Sequence, residues 1–227
     1  MSDFGHHIGM RSILVLTTVL LLFALTGCST SVTISGTVPT PLVQELPIHV
    51  GVYYSEEFKN YEYKELPNES EPPMTHYQVA LGTHNLSFFR NLMNAMFMQV
   101  TELDNPNLTD SQKNELDVVL IPEIARYDVL LPAISTLAYH AVSIEYHIKL
   151  TDLESTDIVN WKIIGYGKAE GSVLGGGEAV AEATMEAIRD GGARIATEVP
   201  AAIKSILAVK EKSDVLEEPS NEPPIKL

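Results

Sequence analysis

The stretch AVSIEYHIKL, residues 141–150, alternates strictly between apolar and polar side chains. The apolar set is Val142, Ile144, Tyr146, Ile148 and Leu150, and the polar set is Ser143, Glu145, His147 and Lys149. Because successive side chains of a strand point to opposite faces, the pattern predicts a strand buried on one face only. After a polar turn at 151–157, residues 158–170 predict the antiparallel partner of a hairpin, with Val159, Trp161 and Ile163 pointing inward.

Two more strands and two long helices surround this hairpin. Residues 46–54 alternate loosely between apolar and polar side chains, which predicts a strand. Residues 117–127 contain the apolar run VVLI and predict a strand buried on both faces, whose later half Pro122 should make an edge or a bulge. Apolar residues at helical spacing predict a helix over 85–100, with Thr83 or Asn85 available as its N-cap. Residues 178–207 predict an Ala-rich helix in which Gly191, Gly192 and Pro200 should introduce a kink.

This order, β-α-β-β-β-α, predicts an α+β fold. We expect a mostly antiparallel sheet of about four strands with two helices packed on one face, since that arrangement buries every periodic apolar face. The domain should cover residues 46–208, because the segments before and after it lack such periodicity. That length is typical of one domain.

Composition excludes several classes of function. The chain has 227 residues and a formal net charge of −15, so it lacks the basic surface that nucleic-acid binding needs. It has one cysteine, which excludes an internal disulfide and a zinc finger. A hydrophobic fraction of 45% is enough to build a core.

The N-terminus reads as a targeting segment. Residues 13–25 are apolar apart from Thr17 and Thr18, and they are too short for a bilayer-spanning helix, which needs roughly 20 residues. Arg11 before them and small residues after them predict a signal peptide over residues 1–27. Translation should start at Met10, because Asp3 would put a negative charge where signal peptides carry positive charge.

The end of that segment, Leu25-Thr26-Gly27-Cys28, resembles the lipobox of bacterial lipoproteins. The resemblance implies cleavage before Cys28 and acylation of that cysteine, which would attach the chain to a membrane. Ser29 in the next position implies the outer membrane, facing the periplasm. Residues 28–45, rich in Ser, Thr and Pro, then predict a flexible tether, and the acidic, Pro-rich residues 209–227 predict a disordered tail.

The predicted element order is similar to the small α/β domain of several envelope proteins. These are the TolB N-terminal domain, the peptidoglycan-synthase activator LpoB, the curli-secretion lipoprotein CsgG and the Pel-polysaccharide lipoprotein PelC. The likeness covers about residues 46–207 and rests on the element order and the lipobox. The resemblance implies an accessory or structural subunit of an envelope machine. It leaves open whether the chain forms a homo-oligomer. No functional residue of these proteins can be assigned to a position of this sequence.

The sequence predicts no catalytic residues, metal site or cofactor. The glycine-rich residues 171–177 precede a helix, but Glu178 stands where a phosphate-binding loop needs Lys, so they predict a turn. The histidines show no metal-ligand spacing. Glu123 and Glu145 are the carboxylates that a hydrolase would use for acid/base work.

The long segment 55–82 is the candidate docking loop, since it carries the aromatic residues Phe58, Tyr61 and Tyr63. Glu62 and Lys64 alternate with the tyrosines and predict a short edge strand there. The favoured function is an outer-membrane lipoprotein that scaffolds an envelope assembly, secretion or transport complex through a protein partner. A carrier of lipid or another apolar ligand and a cell-wall or glycan hydrolase are the alternatives.

Overall fold

The computed structural model describes residues 29–34, 36, 42–65, 76–132, 139–171 and 176–217. Within these residues the chain forms two sheets and four helices. The strands are β1 (Ser29–Val32), β2 (Leu46–Tyr53), β3 (Glu62–Lys64), β4 (His76–Ala80), β5 (Phe97–Leu103), β6 (Val118–Leu130), β7 (Tyr139–Thr151) and β8 (Asp157–Glu170). The helices are α1 (Glu56–Lys59), α2 (Gly82–Met96), α3 (Asp110–Lys113) and α4 (Gly177–Glu217).

The larger sheet has five strands in the order β5-β2-β6-β7-β8. Strand β2 pairs in parallel with β5 and β6, whereas β6–β7 and β7–β8 are antiparallel. All four predicted strands are present, and the predicted hairpin is confirmed as β7–β8. The sheet is mixed, however, so the prediction of a mostly antiparallel sheet of four strands was wrong.

The missed strand is β5, which lies inside the segment predicted as a helix over 85–100. Helix α2 ends at Met96, and the next residue, Phe97, already has an extended backbone with φ −128° and ψ 141°. Phe97 is buried and begins the strand that pairs with β2. The spacing of Phe97 and Val100 is compatible with the apolar side of a helix and also with a strand. Spacing alone therefore predicted the end of the helix at residue 100 instead of Met96.

Both long helices pack on one face of this sheet, as the sequence predicts. Tyr146 of β7 is fully buried between them. Its hydroxyl donates to Asn85 Oδ1 of α2 at 2.6 Å, and a Cβ on Gly191 of α4 would lie 2.8 Å from its ring. Helix α4 continues as one element past Gly191 and through Pro200. Gly191 gives close packing on Tyr146, and the kink at Gly191, Gly192 and Pro200 stays a prediction.

The smaller sheet has the order β1-β4-β3 and adds to the same hydrophobic core. Val79 of β4 is the centre of this sheet, paired with Val32 of β1 and Tyr63 of β3. The edge strand expected at Glu62–Lys64 is thus confirmed. The rest of the described part of segment 55–82 is ordered as α1 and β4, which differs from the irregular loop that the sequence predicts.

Pro122 lies within β6, at a point where that strand has one neighbour. The parallel pairing of β6 with β2 ends at Leu120, whereas its antiparallel pairing with β7 continues to Leu130. Pro122 has no N–H to donate, and here one side of β6 is without a described partner strand. The expectation that Pro122 makes the later half of this strand an edge is borne out.

The predictions for the segments before and after the domain agree with the structure only in part. Strand β1 and Ile34 lie within the segment predicted as a tether, yet Val32 and Ile34 are buried. Helix α4 reaches Glu217, beyond the predicted start of the disordered tail at residue 209. The predicted signal peptide over residues 1–27, Cys28 and residues 218–227 lie outside the described residues.

Candidate functional site: the outer face of the sheet

The face of β6, β7 and β8 that points away from the helices carries most of the polar side chains of this sheet. Residues that lie directly opposite each other in an antiparallel pair point to the same face, so the register defines this surface. We call this surface the outer face. It includes Glu123, Arg126, Asp128, Leu130, Ser143, Glu145, His147, Lys149, Lys162 and Tyr166, and the same rows also contain Ile121, Ala141, Asn160, Ile164 and Lys168.

A register shift in β6 brings a cation to the centre of the outer face. The shift lies between Ile124 and Arg126. It leaves Ile124 opposite Tyr146 on the core side and sets Arg126 opposite Glu145 on the outer side. A bulge of this kind re-aims a side chain without ending the strand.

Glu145 is the centre of a cluster of charges. Lys162 Nζ lies 2.9 Å from Glu145 Oε2, His147 Nε2 lies 2.9 Å from Oε1, and the Arg126 guanidinium lies 3.8 Å from Oε2. These three side chains cover the carboxylate, and the Glu145 side chain is 12% exposed. The hydrogen bond from Lys162, then that with His147, lowers the pKa of Glu145 below the ordinary carboxyl value. Glu145 therefore stays ionised and is poorly suited to donate a proton.

More ion pairs surround this centre. Arg126 Nε is 2.9 Å from Asp128 Oδ2, and Lys149 Nζ is 2.8 Å from Asp157 Oδ1 at the end of β8. The Ser143 hydroxyl donates to Asp128 at 3.4 Å. Exposed pairs contribute only about 0–1 kcal/mol each to stability. They place charges of both signs side by side on the outer face.

One end of the outer face is apolar and aromatic. Tyr166 is 57% exposed, and Leu130 is also exposed although both are large hydrophobic residues. Tyr166 lies opposite Ser143, and Leu130 lies opposite Ala141 in the adjacent row. Lys168 Nζ sits 5.8 Å from the ring centroid of Tyr139 at the same end. The outer face thus combines exposed aromatic and aliphatic groups with a charged cluster of defined geometry.

The aromatic residues that the sequence assigns to a docking loop face the core instead. Phe58 is 1% exposed, stacks on Tyr54 with ring centroids 5.6 Å apart and meets the edge of Phe89. Tyr61 and Tyr63 are half-buried against the core, and Tyr63 lies 4.8 Å from the Tyr127 ring. Burial raises the pKa of both tyrosines. These residues support the fold, and the buried Phe58 side chain leaves almost no surface for a partner to contact.

The other predicted site residues have mixed outcomes. Glu123 is exposed on the outer face opposite His147, one row from Glu145. The lipobox residues Leu25, Thr26, Gly27 and Cys28 lie outside the described residues.

Across the described ranges, no three or more His, Cys, Asp or Glu side chains form a group that would hold a metal ion. None of the described helices has both the length and the apolar composition required to cross a bilayer.

Sequence reasoning missed Arg126, Lys162 and Tyr166 as members of one surface. The polar alternation of β7 was visible, but its neighbours depend on the register of β6 and β8. The position of Lys162 depends on the register shift between Leu150 and Thr151, since a ladder centred on the predicted turn at 151–157 would set Trp161 opposite His147. Arg126 depends on the bulge, for which the sequence carries no clear signal.

Comparisons with known proteins assign neither a family nor an activity. No family model matches the chain, and no curated protein sequence matches it. Similar solved structures include a minor lipoprotein from Acinetobacter baumannii, with 11% identity, a TM-score of 0.39 and coverage of 70% of this chain and 95% of that one. A provisionally assigned lipoprotein from Caulobacter crescentus has 12% identity, a TM-score of 0.34 and coverage of 55% and 80%. A hypothetical protein from Chlamydia trachomatis has 12% identity, a TM-score of 0.37 and coverage of 69% and 99%.

Proposed function

We propose that this chain is a lipid-anchored lipoprotein of the outer membrane that serves as an accessory or scaffold subunit of an envelope assembly, secretion or transport complex. Acylation of Cys28 would hold it at the membrane on the periplasmic side. The outer face would dock a protein partner of the complex. The anchor rests on the lipobox at residues 25–28, and the docking role rests on the outer face.

The observation that supports docking is the side-chain content of the outer face. Arg126 is 63% exposed and Tyr166 is 57% exposed, and both belong to the residue types that dominate binding energy at protein interfaces. Arg126 lies opposite Glu145 in the charged cluster, and Tyr166 lies opposite Ser143 in the next row of the same face. Fixed charges at an interface set the register and exclude wrong partners more than they add affinity.

The same cluster favours docking over acid/base chemistry. A general acid of a hydrolase needs a carboxyl whose pKa is raised, so that it holds a proton at neutral pH. Lys162 and His147 lower the pKa of Glu145 instead. The three strands of the face pair along nearly their whole lengths, with one register shift in each pairing, which suits a rigid recognition surface.

The anchor is tested separately from the docking surface. Each buried CH₂ of an acyl chain contributes about 0.8 kcal/mol, so several chains retain a protein at a membrane where one does not. The variant Cys28→Ser should therefore move from the membrane fraction to the soluble periplasmic fraction. A Cys28→Ser protein that still sediments with the outer membrane would contradict the lipid anchor.

Docking is tested with a matched pair of charge reversals. Arg126→Glu on the outer face should reduce cross-linking to the native partner in intact cells about tenfold or more, since it puts a repulsive charge beside Glu145 and Asp128. Arg194→Glu on α4 makes the same charge change at a comparable exposure of 48% and should leave the cross-link unchanged. Equal losses in both variants would refute the outer face as the docking surface.

A further inference from the structure

Strand β1 leaves no spacer between the predicted lipid anchor and the folded domain. It begins at Ser29, the residue directly after Cys28, so one peptide bond sets the Cα atoms of these two residues about 3.8 Å apart. All four residues of β1 pair with β4, and Val32 and Ile34 are buried in the core. Releasing β1 to act as a tether would expose both side chains to water. A lipid on Cys28 would therefore hold the domain itself, at the point where β1 begins.

Strands β1 and β4 start beside the start of β7. They run parallel to each other, and Tyr77 of β4 is the Cα partner of Thr30. A Cβ on Gly176, the residue before α4, would lie 2.7 Å from the Tyr77 hydroxyl oxygen and 2.5 Å from His140 Nε2. The two side chains thus converge on one residue, and His140 is the second residue of β7.

The direction of β4 shows from which end β1 enters the domain. Val79, two residues after Tyr77, pairs with Tyr63 of β3. The ring centroids of Tyr63 and Tyr127 are 4.8 Å apart, and Tyr127 pairs with Ile144 in the middle of β7. Strand β4 therefore follows β7 from its start towards its middle. Because β1 is parallel to β4, it enters the domain at the end of the larger sheet where β7 starts.

The same end of the larger sheet carries apolar and amphipathic side chains. Leu130, the last residue of β6, is 40% exposed and lies opposite Ala141 of β7. Lys168 of β8 lies opposite Ala141 on the other side, and its Nζ is 5.8 Å from the centroid of the Tyr139 ring. Lys and Tyr each combine an apolar body with a polar tip, which suits the boundary between lipid and water.

We propose that this end, which we call the anchor end and define by Leu130, Tyr139 and Lys168, rests on the phospholipid surface that holds the lipid of Cys28. The inference rests on the proposed lipid anchor and adds an orientation to it. The membrane is the surface to which the chain would be joined at this end, through β1. Zwitterionic lipid is favoured over anionic lipid, since the chain carries a formal net charge of −15.

This orientation narrows the kind of protein that docks on the outer face. The row nearest the membrane contains Leu130 and Ala141, and the row that contains Lys149 is the farthest. At about 3.3 Å per residue along β7, the outer face spans about 26 Å between these rows. It therefore stands beside the membrane, where the periplasmic part of a membrane-embedded protein reaches it.

Two matched cysteine variants test the orientation. Cys28 is the only cysteine and acylation consumes its thiol, so a thiol-reactive fluorophore labels only an introduced cysteine in the acylated full chain. Glu170→Cys puts the label at the anchor end, and Glu154→Cys puts it in the β7–β8 turn, about 40 Å away at 3.3 Å per residue along β8. In phosphatidylcholine vesicles with a spin-labelled headgroup, the label at position 170 should be quenched severalfold more strongly than the label at position 154. Equal quenching of the two, or stronger quenching at position 154, would overturn the orientation.

A flexible spacer tests the direct link between Cys28 and β1. About eight Ser and Gly residues inserted before Ser29, beginning with Ser, keep Ser after the acylated cysteine and add a reach of about 15 Å. Quenching at position 170 should then fall towards that at position 154, whereas sedimentation with the vesicles should not change. Unchanged quenching at position 170 would overturn the direct link as the cause of the orientation.

Vesicle binding separates this inference from the proposed function. Loss of sedimentation with the vesicles in every variant would refute the lipid anchor, and the orientation with it. Full sedimentation with equal quenching at positions 170 and 154 would refute the orientation alone. Neither measurement depends on whether a protein partner docks on the outer face.

Discussion

Two buried tyrosines differ in how their hydroxyl groups are satisfied. The Tyr146 hydroxyl donates to Asn85 Oδ1, and the Asn85 amide donates in turn to the Leu81 carbonyl at 3.3 Å. The Tyr54 hydroxyl is equally buried and has no hydrogen-bond partner among the residues that the structure describes. Burial raises the pKa of both groups, so both stay protonated at any physiological pH.

Removing each hydroxyl should therefore change stability in opposite directions. Tyr146→Phe leaves the fully buried Asn85 Oδ1 without its donor and should lower the free energy of unfolding by about 1–3 kcal/mol. Tyr54→Phe removes an unsatisfied polar group and should leave stability unchanged or raise it by up to about 1 kcal/mol. Denaturant unfolding of the two variants measures both values. Equal destabilisation by the two substitutions would contradict this view of the core.

The role of Asn85 could not be predicted from the sequence. Its side chain suits an N-cap, and the sequence predicts that role. In the structure, α2 begins at Gly82 with Leu81 as the cap residue, and Asn85 is one turn inside the helix. Its role depends on Tyr146, which is 61 residues later in the chain. No local pattern announces such a partner.

At the scale of elements, β8 and α4 touch through their backbones. A Cβ on Gly165 would clash with the Ala187 carbonyl, and a Cβ on Gly167 would clash with the Ala183 carbonyl. Backbone atoms cannot move aside as a flexible side chain can, so either glycine must stay without a side chain. Small residues on both elements thus bring α4 near enough for its carboxylates to cover the β8 edge.

Gly165→Ala and Gly167→Ala should each push α4 away from the sheet. We expect a loss of about 1–3 kcal/mol in the free energy of unfolding, the usual range for overpacking. Asn160→Ala, at an exposed position of the same strand, should change stability by less than about 0.5 kcal/mol. Thermal unfolding of the three variants compares them directly. Wild-type stability in both glycine variants would refute the close approach.

Helices and strands whose apolar residues follow one clear spacing were predictable from the sequence. Elements whose apolar residues fit both helical and strand spacing were not. The hairpin β7–β8 follows from strict alternation, and α4 follows from a long apolar stripe. Strand β5 was lost because Phe97 and Val100 continue the period of α2. Strand β1 was lost because Val32 is its only apolar residue and its partner β4 is more than 40 residues away. Strand β4 was lost because its alternation covers only five residues. The sequence predicted the polar residues of β7 on the outer face. It did not predict their neighbours from β6 and β8, because those positions depend on the register of the strands.

At the scale of the whole molecule, His140 links stability to pH. It is 1% exposed at the start of β7, near Tyr77 of the smaller sheet and the first residues of α4. Within the described part of the chain, its Nδ1 has no hydrogen-bond partner. Burial lowers the pKa of His140 below its ordinary value of 6.5. The unfolded chain therefore binds this proton more readily than the folded one, and stability should fall as pH drops below about 6.5.

Unfolding in denaturant at a series of pH values between 7.5 and 5 measures this effect. The free energy of unfolding should decline on acidification, and His140→Leu should remove most of that decline because it has no proton to gain. His84→Leu on α2 should keep it. The contribution of Glu145, whose pKa is lowered, is lost only at more acidic pH, below the ordinary carboxyl value of 4.5. A decline that persists in His140→Leu would assign the effect to another group.

The central claim is that the outer face of an anchored domain docks a protein partner. A photo-reactive amino acid at position 166 in living cells tests it most directly, with position 194 on α4 as the control. We predict one dominant adduct with an envelope protein from position 166, lost in the Arg126→Glu background and absent from position 194. The same adduct from both positions, or an adduct at 166 that Arg126→Glu leaves unchanged, would contradict the claim.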